Sequence, residues 1–229
     1  MLNIKLDNNG VTLEIEKNGE KFVKPVDYGE LAAMLNENAV HDSGMLPPNT
    51  RHVSVRGNMY SVVIEIPPGR RNLSWAGSSD PIEVVGVSVP ASLFFFQLIK
   101  REGKFYLNQA HAFALKGDRL LFSKDVLYAF PFPNVYPEDD KICWGENNMK
   151  APLKSLAGIE GFVRTYFGTP FNSDLFDYSK LSKDFPWKEA GNLNIRKYFK
   201  FLAENSFNTD WLVPSTQTDF ASTIKKLGR

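Results

Sequence analysis

The 229-residue chain contains one cysteine, Cys143, so no intramolecular disulfide can staple it and no cysteine cluster can hold zinc. Long apolar runs are also missing: the longest, near Ser92 to Ile99, falls far short of the ~20 residues needed to cross a bilayer and reads as a buried strand. The N-terminus, Met1-Leu2-Asn3-Ile4-Lys5, lacks a basic region followed by an apolar core and a small-residue cleavage site, so a reducing cytoplasm is the expected setting. Neither sign of charge dominates. With 27 Lys and Arg interspersed among 26 Asp and Glu, no global field concentrates nucleic acid or an anionic membrane, and the Arg70-Arg71 pair reads as solvated surface. His41, His52 and His111 have no metal-ligand spacing, and Gly77-Ser78-Ser79 lacks the glycine and lysine of a phosphate loop. No metal, nucleotide or prosthetic group is therefore expected.

What is abundant is material for a packed core: hydrophobic residues make up 43% of the chain and 18 are Phe, which argues against disorder. The length suits one domain with appended elements. Ile4 and Leu6, then Val11, Leu13 and Ile15, then Phe22 alternate in period two, with Asn8-Asn9-Gly10 and Asn18-Gly19 as turns, so a small antiparallel meander opens the chain. Asp27 and Glu30 have the spacing of a capping box, and Tyr28, Leu31 and Leu35 follow at helical spacing. Strand patterns resume at Arg51 to Ile66 and recur at Ile82 to Val89, Ser92 to Lys100, Lys104 to Leu115 and Arg119 to Phe122. Their short connections favour sequential antiparallel pairing, a meander of about four strands. Later, Leu156, Ile159, Phe162, Val163, Tyr166 and Phe167 share one helical face, and a second helix from about Asn192 turns Ile195, Tyr198, Phe199 and Leu202 inward. Asn172 to Lys188 reads as loop and the last five residues as a frayed end.

Between strands and helices lies Phe130-Pro131-Phe132-Pro133-Asn134-Val135-Tyr136, an acidic turn, and Ile142-Cys143-Trp144-Gly145. Cys143 reads in two ways, as a small buried hydrophobe or as a reactive thiol. Asn134 is either a turn residue or an amide donor to an oxyanion beside that thiol. The two prolines stiffen the loop, since each ring fixes φ and biases the preceding residue to extended geometry. Glu138-Asp139-Asp140 reads as a solvated acidic turn. A cysteine hydrolase using Cys143 with His111 as base is a further reading, weakened by the absence of any family-specific cysteine signature.

A Pro-Asn pair in a turn followed by Ile-Cys resembles the active-site stretch of ubiquitin-conjugating enzymes. Leu127-Tyr128, Pro131, Pro133-Asn134-Val135-Tyr136 and Ile142-Cys143-Trp144-Gly145 most resemble prokaryotic family D of that superfamily, the branch that includes PRTRC system B proteins. Leu46-Pro47-Pro48, an Arg-rich segment before Trp75, Val89-Pro90 and Tyr166-Phe167-Gly168-Thr169-Pro170-Phe171-Asn172 extend the likeness over about Leu46 to Asn172. Phe132 stands where eukaryotic relatives carry His, and the gap from Asn134 to Cys143 is one residue longer. The resemblance implies an α+β, ubiquitin-conjugating-like antiparallel meander packed against helices. It would comprise an N-terminal hairpin and helix extension (1–45), the core (46–172) and a C-terminal helical extension (173–229). It further implies a transferase that carries a ubiquitin-like protein as a thioester on Cys143, with Asn134 assisting. A ThiF-type activating enzyme and a JAB-type metallopeptidase would be partners, and no cofactor would be bound. A non-catalytic module that binds the ubiquitin-like protein is the alternative.

Overall fold

The computed structural model describes residues 2–7, 10–17, 19–27, 45–76, 81–145, 149, 151–186 and 194–227. Two units divide the chain, residues 1–43 and 44–229. In the first, the alternating segment forms three antiparallel strands, β1 (Leu2–Asp7), β2 (Gly10–Lys17) and β3 (Glu20–Val26), in the order β1-β2-β3. Val11, Leu13 and Val26 bury together, as period-two alternation requires, and Gly19 takes the positive φ of the second turn. The helix expected after Asp27 lies outside the described residues.

The second unit is mixed α+β. Its main sheet is antiparallel throughout and contains β4 (Thr50–Arg56), β5 (Met59–Ile66), β8 (Ser92–Arg101), β9 (Lys104–Ala114), β10 (Val126–Ala129) and β11 (Pro214–Asp219) in the order β11-β10-β9-β8-β5-β4. β6 (Gly69–Trp75) and β7 (Ile82–Val89) form a separate antiparallel hairpin. The sheet is thus larger than the expected four strands, and β5 pairs directly with β8. Pro67-Pro68 after Ile66 explains the departure: two residues without N–H groups cannot extend a ladder, so the chain leaves the sheet before returning as β8.

β8 is apolar on both faces because both are covered. Phe94, Phe96 and Leu98 join the main core beneath α1 (Glu160–Gly168) and α2 (Ile195–Glu204). Leu93 and Phe95 join a second core with Phe220 on the opposite side. That side is closed by α3 (Phe220–Leu227), so the expected frayed C-terminus is a helix through Leu227. Asp219 caps it, accepting from the Ser222 amide at 2.9 Å and the Ser222 hydroxyl at 2.8 Å. Lys225 and Lys226 occupy its last turn, where cations offset the helix dipole. The expected strand at Arg119 to Phe122 does not form. The carboxylate of Asp125 takes the amides of Leu121 (2.8 Å) and Phe122 (2.9 Å) into a turn, and the fourth ladder of the run falls at β10 instead.

α1 follows a 3-10 turn (Leu156–Ile159) and buries Phe162, Val163, Tyr166 and Phe167, the face read from its spacing. α2 begins at Ile195 with Asn194 accepting from the Lys197 amide at 3.2 Å, and buries Ile195, Tyr198, Phe199 and Leu202 against the β6–β7 hairpin. Among the described residues between them, the chain is irregular apart from a 3-10 turn at Tyr178–Lys180.

Candidate active site

Phe130 and Phe132 leave β10 fully buried, and the residues between and after them are tied down through their carbonyls. Tyr198 Oη donates to the Pro131 carbonyl at 2.9 Å, Tyr166 Oη to that of Pro133 at 2.5 Å, and Lys180 Nζ to that of Val135 at 2.5 Å. Prolines offer only acceptors, so a buried Pro-x-Pro run needs donors from elsewhere; two helices and a 3-10 turn supply them. Phe132 packs against Phe130, Tyr198 and Phe199 and serves as an apolar anchor.

From Asn134 to Cys143 the chain folds back on itself. The Cys143 amide donates to the Asn134 carbonyl at 2.8 Å, Val135 bridges Ile142, and the Tyr136 amide donates to Lys141 at 2.9 Å. This irregular hairpin is stitched to β9 by Ile142 N to the Ala110 carbonyl (2.8 Å) and Ala112 N to the Asp140 carbonyl (3.0 Å). Asn134 (φ 60°) and Asp140 (φ 59°) both occupy the left-handed region, which Asn and Asp tolerate better than other side-chain-bearing residues. Asn134 therefore has a geometric role at the turn whatever its amide does.

The structure brings the two expected site residues together. Cys143, half-buried, and Asn134 line one open groove of about 600 Å³ whose far side comes from the end of α1 and the segment after it, with Thr169, Asn172 and Asp174. The Asn172 amide donates to Asp174 Oδ2 at 3.0 Å while its Oδ1 accepts from the Asp174 backbone at 3.2 Å, so that carboxylate is held in place. Tyr136, exposed on the near side, hydrogen-bonds Cys143, and that bond raises the phenol pKa above its usual 10.0. A thiol, an amide, a phenol and a carboxylate thus face one shallow space.

Behind the groove lie two buried charges. Asp140 is 2% exposed, which corrects the reading of the acidic turn as wholly solvated; Glu138 and Asp139 are the exposed members. Burial raises the Asp140 pKa to about 6, against the opposing hydrogen bond from Ser215 Oγ at 2.5 Å. Burial likewise lowers Lys180 to about 8, opposed by its attraction to Asp140. Sequence reasoning missed Tyr166, Tyr198, Lys180 and Ser215, whose partners in the loop are 33, 67, 45 and 75 residues away.

His111 lies apart from the groove. It is 5% exposed, its Nδ1 is 3.1 Å from the Asp139 carbonyl, and it lines a small cavity with His52, Phe95 and Ile224. Burial lowers its pKa, and no contact places it as a base for Cys143. His52 lies on β4, and His41 is outside the described residues. Among the described residues no group of three His, Cys, Asp or Glu is placed to hold a metal, and no helix is long and apolar enough to cross a membrane.

The family model of prokaryotic E2 family D matches residues 27–215, a span that includes the whole groove. No curated protein and no solved structure matches the chain.

Proposed function

The chain belongs to prokaryotic E2 family D, and on that premise we propose that it accepts a ubiquitin-like protein as a thioester on Cys143 and passes it to an acceptor. The single observation that carries this reading is the position of the thiol. Cys143 opens onto a groove beside Asn134 and is not sealed beneath Phe132 or Trp144. The sulfur attacks the thioester carbonyl presented by an activating enzyme; one C–S bond forms as the other breaks, and the thiol proton ends on the departing enzyme thiol. An acceptor amine then attacks the same carbonyl and loses a proton, and Cys143 departs as the thiol. Asn134 assists as a donor to the oxyanion or by shaping the turn. A ThiF-type enzyme supplies the activated carrier, a JAB-type metallopeptidase accompanies the set, and a cytoplasmic, PRTRC-type setting suits such chemistry.

Incubation with the cognate ThiF-type enzyme, ubiquitin-like protein and ATP tests the proposal. The wild type forms a reductant-labile adduct, Cys143→Ser a more persistent oxyester, and Cys143→Ala neither. Conjugation retained by Cys143→Ala would sink the transfer reading and leave the protein as a module that binds the ubiquitin-like protein without a thioester.

A further inference from the structure

Arg70 and Arg71, adjacent on β6, have different environments. Arg70 is exposed, and its Nη1 donates to the carbonyls of Gly86 (2.8 Å) and Ala203 (2.6 Å), which fixes the hairpin to α2. Arg71 turns toward α1, where its guanidinium lies 4.6 Å from the centre of the Phe167 ring. Its Nε is buried with no hydrogen-bond partner, and among the described residues no carboxylate pairs with it. Burial alone shifts its pKa, downward, with no opposing attraction from an acid. A partly desolvated cation without a counter-charge is costly in a folded protein unless something else supplies the anion.

The space around it is shaped to do so. Arg70, Arg71, Asn72, Arg164 and Phe167 line an open groove of about 490 Å³ between β6 and α1. Arg164 projects into solvent on the α1 side and is only loosely paired, 3.6 Å from Glu160. We infer that this groove binds the carboxylate side chain of an acidic segment in a partner protein, with Arg71 as the primary contact and Arg164 as the second. A guanidinium stacked on an aromatic ring presents a planar, pre-oriented fork that matches a carboxylate bidentately. One guanidinium without an acidic partner, with Arg70 committed to backbone and Glu160 nearby, suits a monoanion better than a phosphate dianion. Phe167 and Val163 add apolar wall for a neighbouring aliphatic side chain. Nucleic acid is disfavoured because 27 basic residues against 26 acidic ones leave no wider field to hold a polyanion. The site is independent of the Cys143 chemistry, so its test reads binding alone.

A fluorescein-labelled hexaglutamate peptide titrated into the full chain at low salt is expected to bind saturably, and added salt to weaken it. Arg71→Gln is expected to weaken binding by about tenfold, the loss of one charge-assisted bidentate pair, and Arg164→Gln by a smaller factor. Because Arg164 is largely exposed, its variant keeps the test decisive should Arg71→Gln fail to fold. Hexaglutamine should not bind, and Arg56→Gln, an exposed arginine at the β4–β5 turn, should bind hexaglutamate like the wild type. Equal binding by the wild type and both groove variants overturns the inference. So does an equal loss from Arg56→Gln, or displacement of the peptide by inorganic phosphate at lower concentration than by acetate.

Discussion

The hydroxyl of Tyr166 reaches the carbonyl of Pro133 at 2.5 Å, joining the last turn of α1 to the residue that precedes Asn134. Both partners are buried, and the bond spans 33 residues of chain. Tyr166→Phe keeps the ring among Phe94, Phe130 and Phe171 but leaves that carbonyl without its donor. An unsatisfied buried acceptor costs about 1–3 kcal/mol. The denaturant midpoint should therefore fall with the slope unchanged. An unmoved midpoint would mean the carbonyl finds another donor and the loop does not depend on α1 for its shape.

Asn134 couples two roles that substitution can separate. Its φ of 60° is cheap for Asn and Gly and strained for Ala. Asn134→Gly removes the amide and keeps the turn, whereas Asn134→Ala removes both. If the amide stabilises the oxyanion, both variants should charge normally but discharge to amines about 10²-fold more slowly. If only the turn matters, the glycine variant should discharge like the wild type and the alanine variant should lose stability. Single-turnover discharge of a preformed thioester distinguishes the two.

How far the site could be read from sequence depends on where each partner lies. Asn134 and Cys143 were legible because the residues pairing them are consecutive in one hairpin and carry a recognisable pattern. The faces of α1 and α2 were legible from period alone. The donors that hold the loop were not: Tyr166 and Tyr198 look like ordinary inward residues of amphipathic helices, and nothing near Lys180 marks it as buried. Arg119 to Phe122 misled for a different reason. Its apolar residues suit a strand, but the Asp125 side chain captures the backbone amides first, and Leu121 and Phe122 remain exposed.

Tyr136 should report directly on the thiol. Its phenol pKa is raised because it donates a hydrogen bond to Cys143 and because negative charge on that sulfur opposes a second anion. Cys143→Ala removes both causes, so the Tyr136 titration should move down toward 10.0. Chemical-shift titration of ring-labelled tyrosine measures this, with Tyr136→Phe identifying the resonance. An unchanged titration in Cys143→Ala would assign the shift to desolvation and to the charges of Asp139 and Glu138, and remove Tyr136 from the site's chemistry.

Asp140 and Lys180 give the fold a pH dependence with two limbs of opposite sign. The folded-state pKa of Asp140, about 6, lies above its ordinary 3.8, so the native state holds this proton more tightly than the unfolded chain does. Its contribution is fully present below pH 3.8 and is lost as pH rises through about 6. At 1.36 kcal/mol per unit that limb is worth about 3 kcal/mol as an order of magnitude. Lys180 is displaced the other way, from 10.5 to about 8, so its penalty is complete below about 8 and is relieved as pH climbs toward 10.5. Between about 6 and 8 both are charged, and their mutual attraction offsets part of two desolvation costs. In Asp140→Asn the acid limb should vanish from unfolding free energies measured across pH. Its alkaline rise should also begin lower, because Lys180 has lost the carboxylate that favoured its charge. Lys180→Met should extend the Asp140 decline above pH 6, while also costing stability at every pH by leaving the Val135 carbonyl without its donor. A wild-type acid limb persisting in Asp140→Asn would assign it to another carboxylate and leave the buried pair without influence on the loop that presents Cys143.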